Sequence, residues 1–132
     1  MTSKIVNNGK NLMLHRLFTA APTQTAPTVF KIGTGTVDVQ VTDTALGTMI
    51  TAWNTGTDTK TFESGYPDFD TTNKEVEVRG RVTSAHANGY SISEAGTFNL
   101  DGTNVMHDRT VFTAISKTSL DDVIIIWKFR VI

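Results

Sequence analysis

Residues 123–132 form the most apolar stretch of the chain. Successive side chains of a strand point to opposite sides, so a strand here would have two distinct faces. One face is entirely apolar: Val123, Ile125, Trp127, Phe129 and Val131. The other face begins with isoleucines and becomes basic at Lys128 and Arg130. This pattern predicts a strand in the middle of a sheet, with its apolar face in the core.

Alternation of apolar and polar residues predicts further strands at residues 28–32, 60–63, 74–86, 90–98 and 105–115. In residues 74–86 the inward face is expected to carry Val76, Val78, Gly80 and Val82. The opposite face is expected to carry Glu75, Glu77, Arg79 and Arg81. The segment therefore predicts a strand with one buried and one solvated face.

Two segments between the strands carry turn or capping signals. Val37, Val39 and Val41 alternate with polar residues as in a half-buried strand, and Asp43 is expected to cap one helical turn through residues 45–46. At residues 100–103 the Asp-Gly pair favours a turn with positive φ. We therefore expect a hairpin there.

Residues 8–19 contain the one helical pattern of the chain, with Asn7 or Asn8 as its cap. Leu14, Leu17 and Phe18 lie on one side of this helix. A helix of this length is marginal in water by itself. We therefore expect those three residues to pack on the sheet or across a subunit boundary.

Composition favours a chain of short strands, since threonine and glycine are frequent and tracts of Glu, Lys and Ala are missing. A length of 132 residues suits one domain with a core of ordinary size. The predicted fold is mainly β: an antiparallel β-sandwich or jelly-roll-like single domain over residues 1–132. The short N-terminal helix at about residues 8–19 is the expected exception.

Charge and cysteine content exclude several classes of partner. The formal net charge of -1 gives no electrostatic reason to expect nucleic acid. With no cysteine, disulfides and thiolate metal sites are excluded. The chain lacks an apolar run of about 18 residues, so we predict no membrane insertion.

No residue pattern predicts catalysis. His15, His86 and His107 lack the short ligand spacing of a zinc site, and no serine lies in a nucleophile elbow. Asp68 and Asp70 lie in turn-like loops, where aspartate usually bonds to its own backbone. We therefore predict a protein that is not an enzyme, with no catalytic residue, no metal and no cofactor.

The segment 51–72 carries aromatic residues among Thr, Gly, Asn and Asp. Trp53, Phe62, Tyr66 and Phe69 could form a contact surface, since aromatics are enriched in interfaces and sugar-binding faces. Alternatively they fold down as a lid over an open edge of the core, since burial is the commoner outcome for aromatic residues. The candidate interface residues are thus Leu14, Leu17, Phe18, Trp53, Phe62, Tyr66 and Phe69.

Two parts of the sequence resemble small structural proteins of tailed bacteriophage virions, of the tail or baseplate fibre or capsid decoration type. One is ISEAGTFN at residues 92–99, followed by a turn and by a series of spaced residues. These are Met106, Arg109, Phe112, Ile115, Lys117, Thr118 and Trp127. The other is NNGKNLMLHRLF with a proline loop and FKIGTG. The family usually has Leu where this chain has Thr97.

The resemblance implies a sandwich module that assembles in many copies in a virion, after synthesis in the cytoplasm of the bacterial host. The expected partners are copies of the chain itself, with a homotrimer as one arrangement, and other virion proteins. An alternative is a host-glycan or receptor-binding module of a tail tip that uses Trp53, Tyr66 and Phe69. A hydrolase acting on surface polysaccharide is a third hypothesis.

Overall fold

A computed structural model describes residues 2–102 and 104–132 of the chain. The described residues form one helix and eight strands. These are β1 Thr2–Ile5, α1 Asn7–Phe18, β2 Val29–Gly33, β3 Lys60–Thr61, β4 Asp68–Asp70, β5 Glu75–Val82, β6 Ser91–Phe98, β7 Met106–Ser116 and β8 Val123–Arg130. None of the described residues belongs to a helix long and apolar enough to cross a bilayer.

The strands form two antiparallel sheets that pack together, which confirms the predicted β-sandwich. The larger sheet has the order β1-β7-β6-β2-β3 and the smaller sheet has the order β4-β5-β8. β6 and β7 are the central hairpin of the larger sheet. In the predicted turn between them Gly102 has a positive φ of 33°, while Thr103 lies outside the described residues.

The core between the sheets is built around aromatic rings. The ring of Phe30 lies 5.5 Å from that of Trp53 and 6.0 Å from that of Trp127. A Cβ at Gly80 would lie 2.7 Å from the Phe30 ring, so only glycine lets β5 approach β2 this closely. Val78 and Val82 are buried on the same face of β5, as the alternation predicts.

β8 has the predicted faces but not the predicted position. Val123 and Trp127 are buried, and Ile125 and Phe129 pack against the core. Among the described residues, however, β8 pairs only with β5 and lies at an edge of the smaller sheet, so the prediction of a central strand is wrong. Side-chain alternation indicates which face of a strand is buried. It does not indicate whether a second strand pairs with its other edge.

α1 docks by its first turn rather than by the predicted stripe. The backbone N–H of Val6 donates to the carbonyl oxygen of His107, and Leu12 is buried. A Cβ at Gly9 would lie 2.0 Å from that same oxygen, so a glycine is required there. Val6 is the N-cap and no side chain caps the helix, so the prediction of an asparagine cap is wrong.

The far end of α1 leaves the sheets. Leu14, Leu17 and Phe18 are all exposed, with 74% of Leu17 accessible. Packing of these residues on the sheet is therefore wrong for the single chain, and packing across a subunit boundary stays a prediction. The helix is fixed by close backbone contact at its start, which a search for apolar stripes does not detect.

The segment between β2 and β3 contains neither the predicted strand nor the predicted helical turn at Asp43. Val39 is buried, whereas Val37 and Val41 are exposed. These valines do not follow strand alternation, because the segment around them pairs with no strand among the described residues and is held to the larger sheet by side-chain hydrogen bonds and by a single backbone bridge between Gly33 and Met49. The bonds that hold it are described below.

We expect Trp127→Ala to lower the free energy of unfolding by about 3 to 5 kcal/mol, as large aromatic truncations in cores do. The matched control is Ile126→Ala on the same strand, which removes a half-exposed side chain and is expected to cost less than about 1 kcal/mol. Urea unfolding measures both. Equal losses for the two variants would show that the Trp127 face is not the buried one.

Candidate functional site

The two sheets diverge along one flank and leave an open groove of about 900 Å³. β8 forms one wall of this groove, and β1 with the second half of β7 forms the other. The wall side chains are mostly apolar and include Phe112, Ile115, Ile125 and Phe129. β1 pairs with only residues 108–111 of β7, so the later part of β7 also has a free side here.

The free edge of β8 borders this groove. The N–H of Val131 donates to the carbonyl oxygen of Lys74 at 3.0 Å, so the odd-numbered peptide groups of β8 point to β5. Peptide groups alternate in direction along a strand, so the N–H and C=O of Ile124, Ile126 and the following even-numbered residues point away from the sheet. The side chains of Ile124 and Ile126 are 43% and 50% exposed.

A second apolar hollow of about 550 Å³ adjoins the groove. Both hollows share Ile5, Phe129 and Arg130 as lining residues. Met13 of the helix and Phe69 of β4 complete the second one, and 69% of Phe69 is exposed. The groove, the β8 edge and this hollow therefore form one continuous apolar flank, which we call the open flank.

The structure separates the aromatic residues predicted as an interface. Trp53 is only 5% exposed and belongs to the core. Phe62 is half-buried against that core, so these two residues form part of a lid. Tyr66 is half-buried beneath the guanidinium of Arg79, 5.0 Å from the ring centroid. Phe69 lies on the open flank.

The resemblance residues Glu94 and Arg109 form a buried ion pair on the other face of the larger sheet. Arg109 Nε donates to Glu94 Oε2 at 2.9 Å, and both side chains are almost fully buried. Glu94 also accepts N–H bonds from three residues of the segment between β2 and β3: Gly35, Gly47 and Thr48. This cluster, which we call the clamp, holds that segment on the sheet.

Arg109 completes the clamp with its remaining donors. Its guanidinium donates to Asp43 Oδ2 at 2.8 Å and to the carbonyl oxygen of Val37 at 3.0 Å. Asp43 thus binds an arginine instead of capping a helix. A buried charge pair is tolerated when its donors and acceptors are satisfied, and this one has partners on every side. Neither Glu94 nor Arg109 lines the open groove of about 900 Å³ between the sheets.

A strand irregularity brings three more polar side chains together inside the sandwich. Thr97 pairs with Asp108, whereas Phe98 pairs with Met106, so His107 is an extra residue in β7. Thr97 is buried, its hydroxyl donates to Asp108 Oδ1 and it lies 3.2 Å from His107 Nδ1. Thr97 therefore supplies a partner for a buried acid.

Burial shifts both titratable groups of this cluster. It raises the pKa of Asp108 from 3.8 to about 7, while two hydrogen bonds from Thr97 lower that pKa by less. The nearby indole N–H of Trp127 also lowers the pKa of Asp108 slightly. The two groups do not meet hydrogen-bond geometry, and Asp108 Oδ2 has no hydrogen-bond partner. Burial also lowers the pKa of His107 from 6.5 to about 4.

Perturbed pKa values often mark reactive sites, but this pair does not line the groove. The described residues contain no group of three or more His, Asp or Glu side chains that could hold a metal ion. The groove lining combines backbone edges and apolar side chains with hydroxyl and basic groups such as Ser3, Thr113 and Lys128, and none of its residues is an acid. The arrangement suits binding of an extended chain or a second protein surface.

Sequence reasoning did not identify the groove, although it named Phe112 and Ile115 as resemblance residues, and both line the groove with Ile5. Local sequence gives no signal for the groove, because it forms between strands that are distant in the chain. Leu14, Leu17 and Phe18 were predicted as contacts, and their exposure on α1 leaves them available to another subunit.

Asp108 and His107 are expected to have opposing effects on stability as the pH changes. Asp108 has a raised folded-state pKa, so its contribution favours the folded state at low pH and is lost as the pH rises towards 7. His107 has a lowered pKa, so its contribution is present above pH 6.5 and is lost as the pH falls towards 4. Between these two pH values the opposing effects of Asp108 and His107 on the free energy of unfolding cancel.

Asp108→Asn removes the effect of Asp108 and should leave only the pH dependence due to His107. The free energy of unfolding should then rise by up to about 1.4 kcal/mol per pH unit from pH 4 to 6.5. His107→Gln should leave the opposite slope, with stability falling as the pH rises from 4 to 7. Urea unfolding across this range measures both. Two variants with the same pH profile as the unchanged protein would contradict this account.

Leu17→Asp should leave the folded chain intact, because an exposed substitution changes stability by no more than roughly 0.5 kcal/mol. If α1 is a subunit contact, the same change should weaken self-association. Sedimentation velocity at micromolar concentration measures the assembly, and Leu120→Asp is the control, since Leu120 is exposed and lies off the open flank. Unchanged assembly of the Leu17 variant would remove the helix from the interface.

Comparison with known proteins adds no relative from which a role could be transferred. No family model, no curated protein and no solved structure matches the chain. The proposal that follows therefore depends on the open flank and on the resemblance of the sequence motifs.

Proposed function

We propose that the protein is a non-enzymatic structural protein of a bacteriophage virion, an oligomeric building block of the tail, the baseplate or the capsid surface. The observation that carries the proposal is the open flank. A long unpaired strand edge with exposed isoleucines is a site for pairing with another chain, and soluble monomers normally protect such edges. Assembly with copies of itself would cover this surface.

The resemblance of the sequence motifs to phage structural proteins is the reason to propose a virion rather than another kind of assembly. Several motif residues belong to the interior of the fold: Glu94 and Arg109 make the clamp, and Met106 and Trp127 are buried. Lys117 is also buried, and its ammonium group donates to Asn88 Oδ1 at 2.8 Å. The motifs thus supply part of the interior, and two motif residues, Phe112 and Ile115, also line the groove of the open flank.

A structural role also agrees with the placement of the ionisable groups. Glu94 is saturated by hydrogen bonds within the clamp, and Asp108 is enclosed between the sheets. Both carboxylates lie away from the groove lining. Catalysis needs a reactive group that can touch a substrate. We therefore propose self-association and binding to other virion proteins as the activity of this chain.

A host-glycan or receptor-binding module of a tail tip is the second candidate. The exposed ring of Phe69 favours it, since aromatic rings stack on sugars. The burial of Trp53 weighs against the predicted aromatic trio, because Trp53, Tyr66 and Phe69 do not share an exposed face. A homotrimer remains one arrangement for either role.

The direct test combines two measurements. Mass spectrometry of purified particles of the encoding phage should detect the chain in a fixed ratio to the other virion proteins. Sedimentation of the purified protein at micromolar concentration should show self-association. A strict monomer that is absent from particles would overturn the proposal. Binding on a glycan array that is lost in Phe69→Ala would favour the second candidate instead.

A further inference from the structure

We propose that two copies of the chain pair antiparallel through the free edges of their β8 strands, about a two-fold axis at Ile126. This inference rests on the proposed self-assembly and names one contact within it. The pairing would join two three-stranded sheets into one continuous sheet. It would cover the exposed isoleucines of both copies and extend the groove across the axis.

The other strand edges of the described chain are poor sites for pairing. β3 has two residues, β1 has four, and β4 has three residues that follow Pro67. Short strands and nearby proline are devices that blunt an edge. β8 has eight residues, no proline and no charge before Lys128. It is therefore the edge with the most unpaired peptide groups to offer.

The peptide groups of β8 also suit a two-fold axis at an even-numbered residue. The groups of Ile124, Ile126 and Lys128 point outward, as the bond from Val131 to Lys74 requires. The hydrogen bonds of β5 support this direction. Arg79 lies opposite Ile126, and its carbonyl oxygen accepts from the N–H of Glu63 on the side away from β8. With the axis at Ile126, the two Ile126 residues would exchange hydrogen bonds with each other.

Charge complementarity and the length of strand that can pair together select the register. Asp122 lies on the outer face of the smaller sheet, where its carboxylate binds Arg81 at 3.0 Å, and that ion pair holds the pKa of Asp122 below its usual value. An axis at Ile126 places Asp122 of one copy opposite Arg130 of the other, at both ends of the contact. Opposite charges across a strand pair stabilise it, and like charges destabilise it.

Neighbouring registers match less of the charge or pair less of the strand. An axis at Ile125 would place Asp122 opposite Lys128, but it would pair only residues 123–127 of the two strands, whereas the axis at Ile126 pairs residues 123–129. An axis at Lys128 would put the two lysines directly opposite each other. An axis at Trp127 would place Arg130 opposite Ile124 and leave the two lysines as diagonal neighbours with no acid between them. With the axis at Ile126, Lys128 instead lies opposite Ile124 and diagonal to Asp122 of the second copy. In this register Ile124 and Ile126 of both copies also lie on one face.

A two-fold contact of this kind makes pairs, because each copy uses the same edge. A trimer would need a separate three-fold contact, for which the exposed end of α1 is available. The paired sheets would place Ile125 of one copy opposite Trp127 of the other. The apolar lining of the groove thus continues into the second copy.

Single-cysteine cross-linking tests the register directly, since the chain has no cysteine of its own. Hydrogen-bonded residue pairs have Cα atoms about 5.5 Å apart, which suits a disulfide. Ile126→Cys should therefore form a covalent dimer under mild oxidation. Ile124→Cys and Lys128→Cys should each cross-link poorly alone and efficiently when mixed. Leu120→Cys is the control for random collision.

A second variant tests the contact without new covalent bonds. Ile126→Lys removes the central isoleucines and opposes two like charges, so it should raise the dissociation constant of the dimer by at least about tenfold. Leu120→Lys adds the same charge away from the strand and should leave the dissociation constant unchanged. Circular dichroism checks that both variants keep the fold, and sedimentation equilibrium measures the dimer.

The outcomes separate this inference from the proposed function. Cross-linking of Ile126→Cys no faster than of Leu120→Cys overturns the β8 contact. If the protein still self-associates and is found in particles, the proposed function survives that result. Covalent dimers of Ile126→Cys in the purified protein support the contact even if the chain is absent from particles. Cross-linking of Ile126→Cys only to a different virion protein overturns self-pairing and identifies a foreign strand on this edge.

Discussion

The buried pair of Glu94 and Arg109 is the interaction on which the rest of the structure depends. Five hydrogen-bond partners from the segment between β2 and β3 converge on these two side chains: Gly35, Gly47, Thr48, Asp43 and Val37. Removal of either member would leave a buried charge without its counterion, which typically costs about 3 to 5 kcal/mol. The clamp therefore fixes a long connection that has no strand ladder of its own.

The chain combines a closely packed interior with the exposed apolar surface of the open flank. On the inside, Gly9, Gly80 and Gly96 allow backbone and rings to approach more closely than any Cβ would permit. On the flank, β8 has no second neighbour among the described residues and Ile124 and Ile126 are half-exposed. Stability and assembly thus use separate parts of the molecule. This separation suits a building block, because its contacts can form without disturbing its core.

The candidate site could be predicted only in part. Leu14, Leu17 and Phe18 were predicted to pack on the sheet or across a subunit boundary, and their exposure leaves only the second alternative as a prediction. The contact predicted for Phe69 also stays a prediction. The sequence did not indicate that Trp53 is buried and Phe69 exposed, because both are aromatic residues in a loop-rich segment. One is buried beside Phe30 and the other lies on β4 at the surface. Which aromatic residue reaches the core depends on the path of the chain between strands.

The sequence by itself determined the mainly β sandwich, the faces of β5 and β8 and the position of the helix, since these follow from local periodicity and turn chemistry. Only the tertiary structure decided that β8 is an edge strand, that α1 docks through Gly9, and that Glu94 holds the segment where alternating valines predicted a strand. It also decided that Ile92 and Ala95 both face the core, because the register of β6 shifts between Ile92 and Glu94. Periodicity records which side chains share a face. The neighbours of a strand, and the backbone contacts that need a glycine, depend on residues distant in the chain.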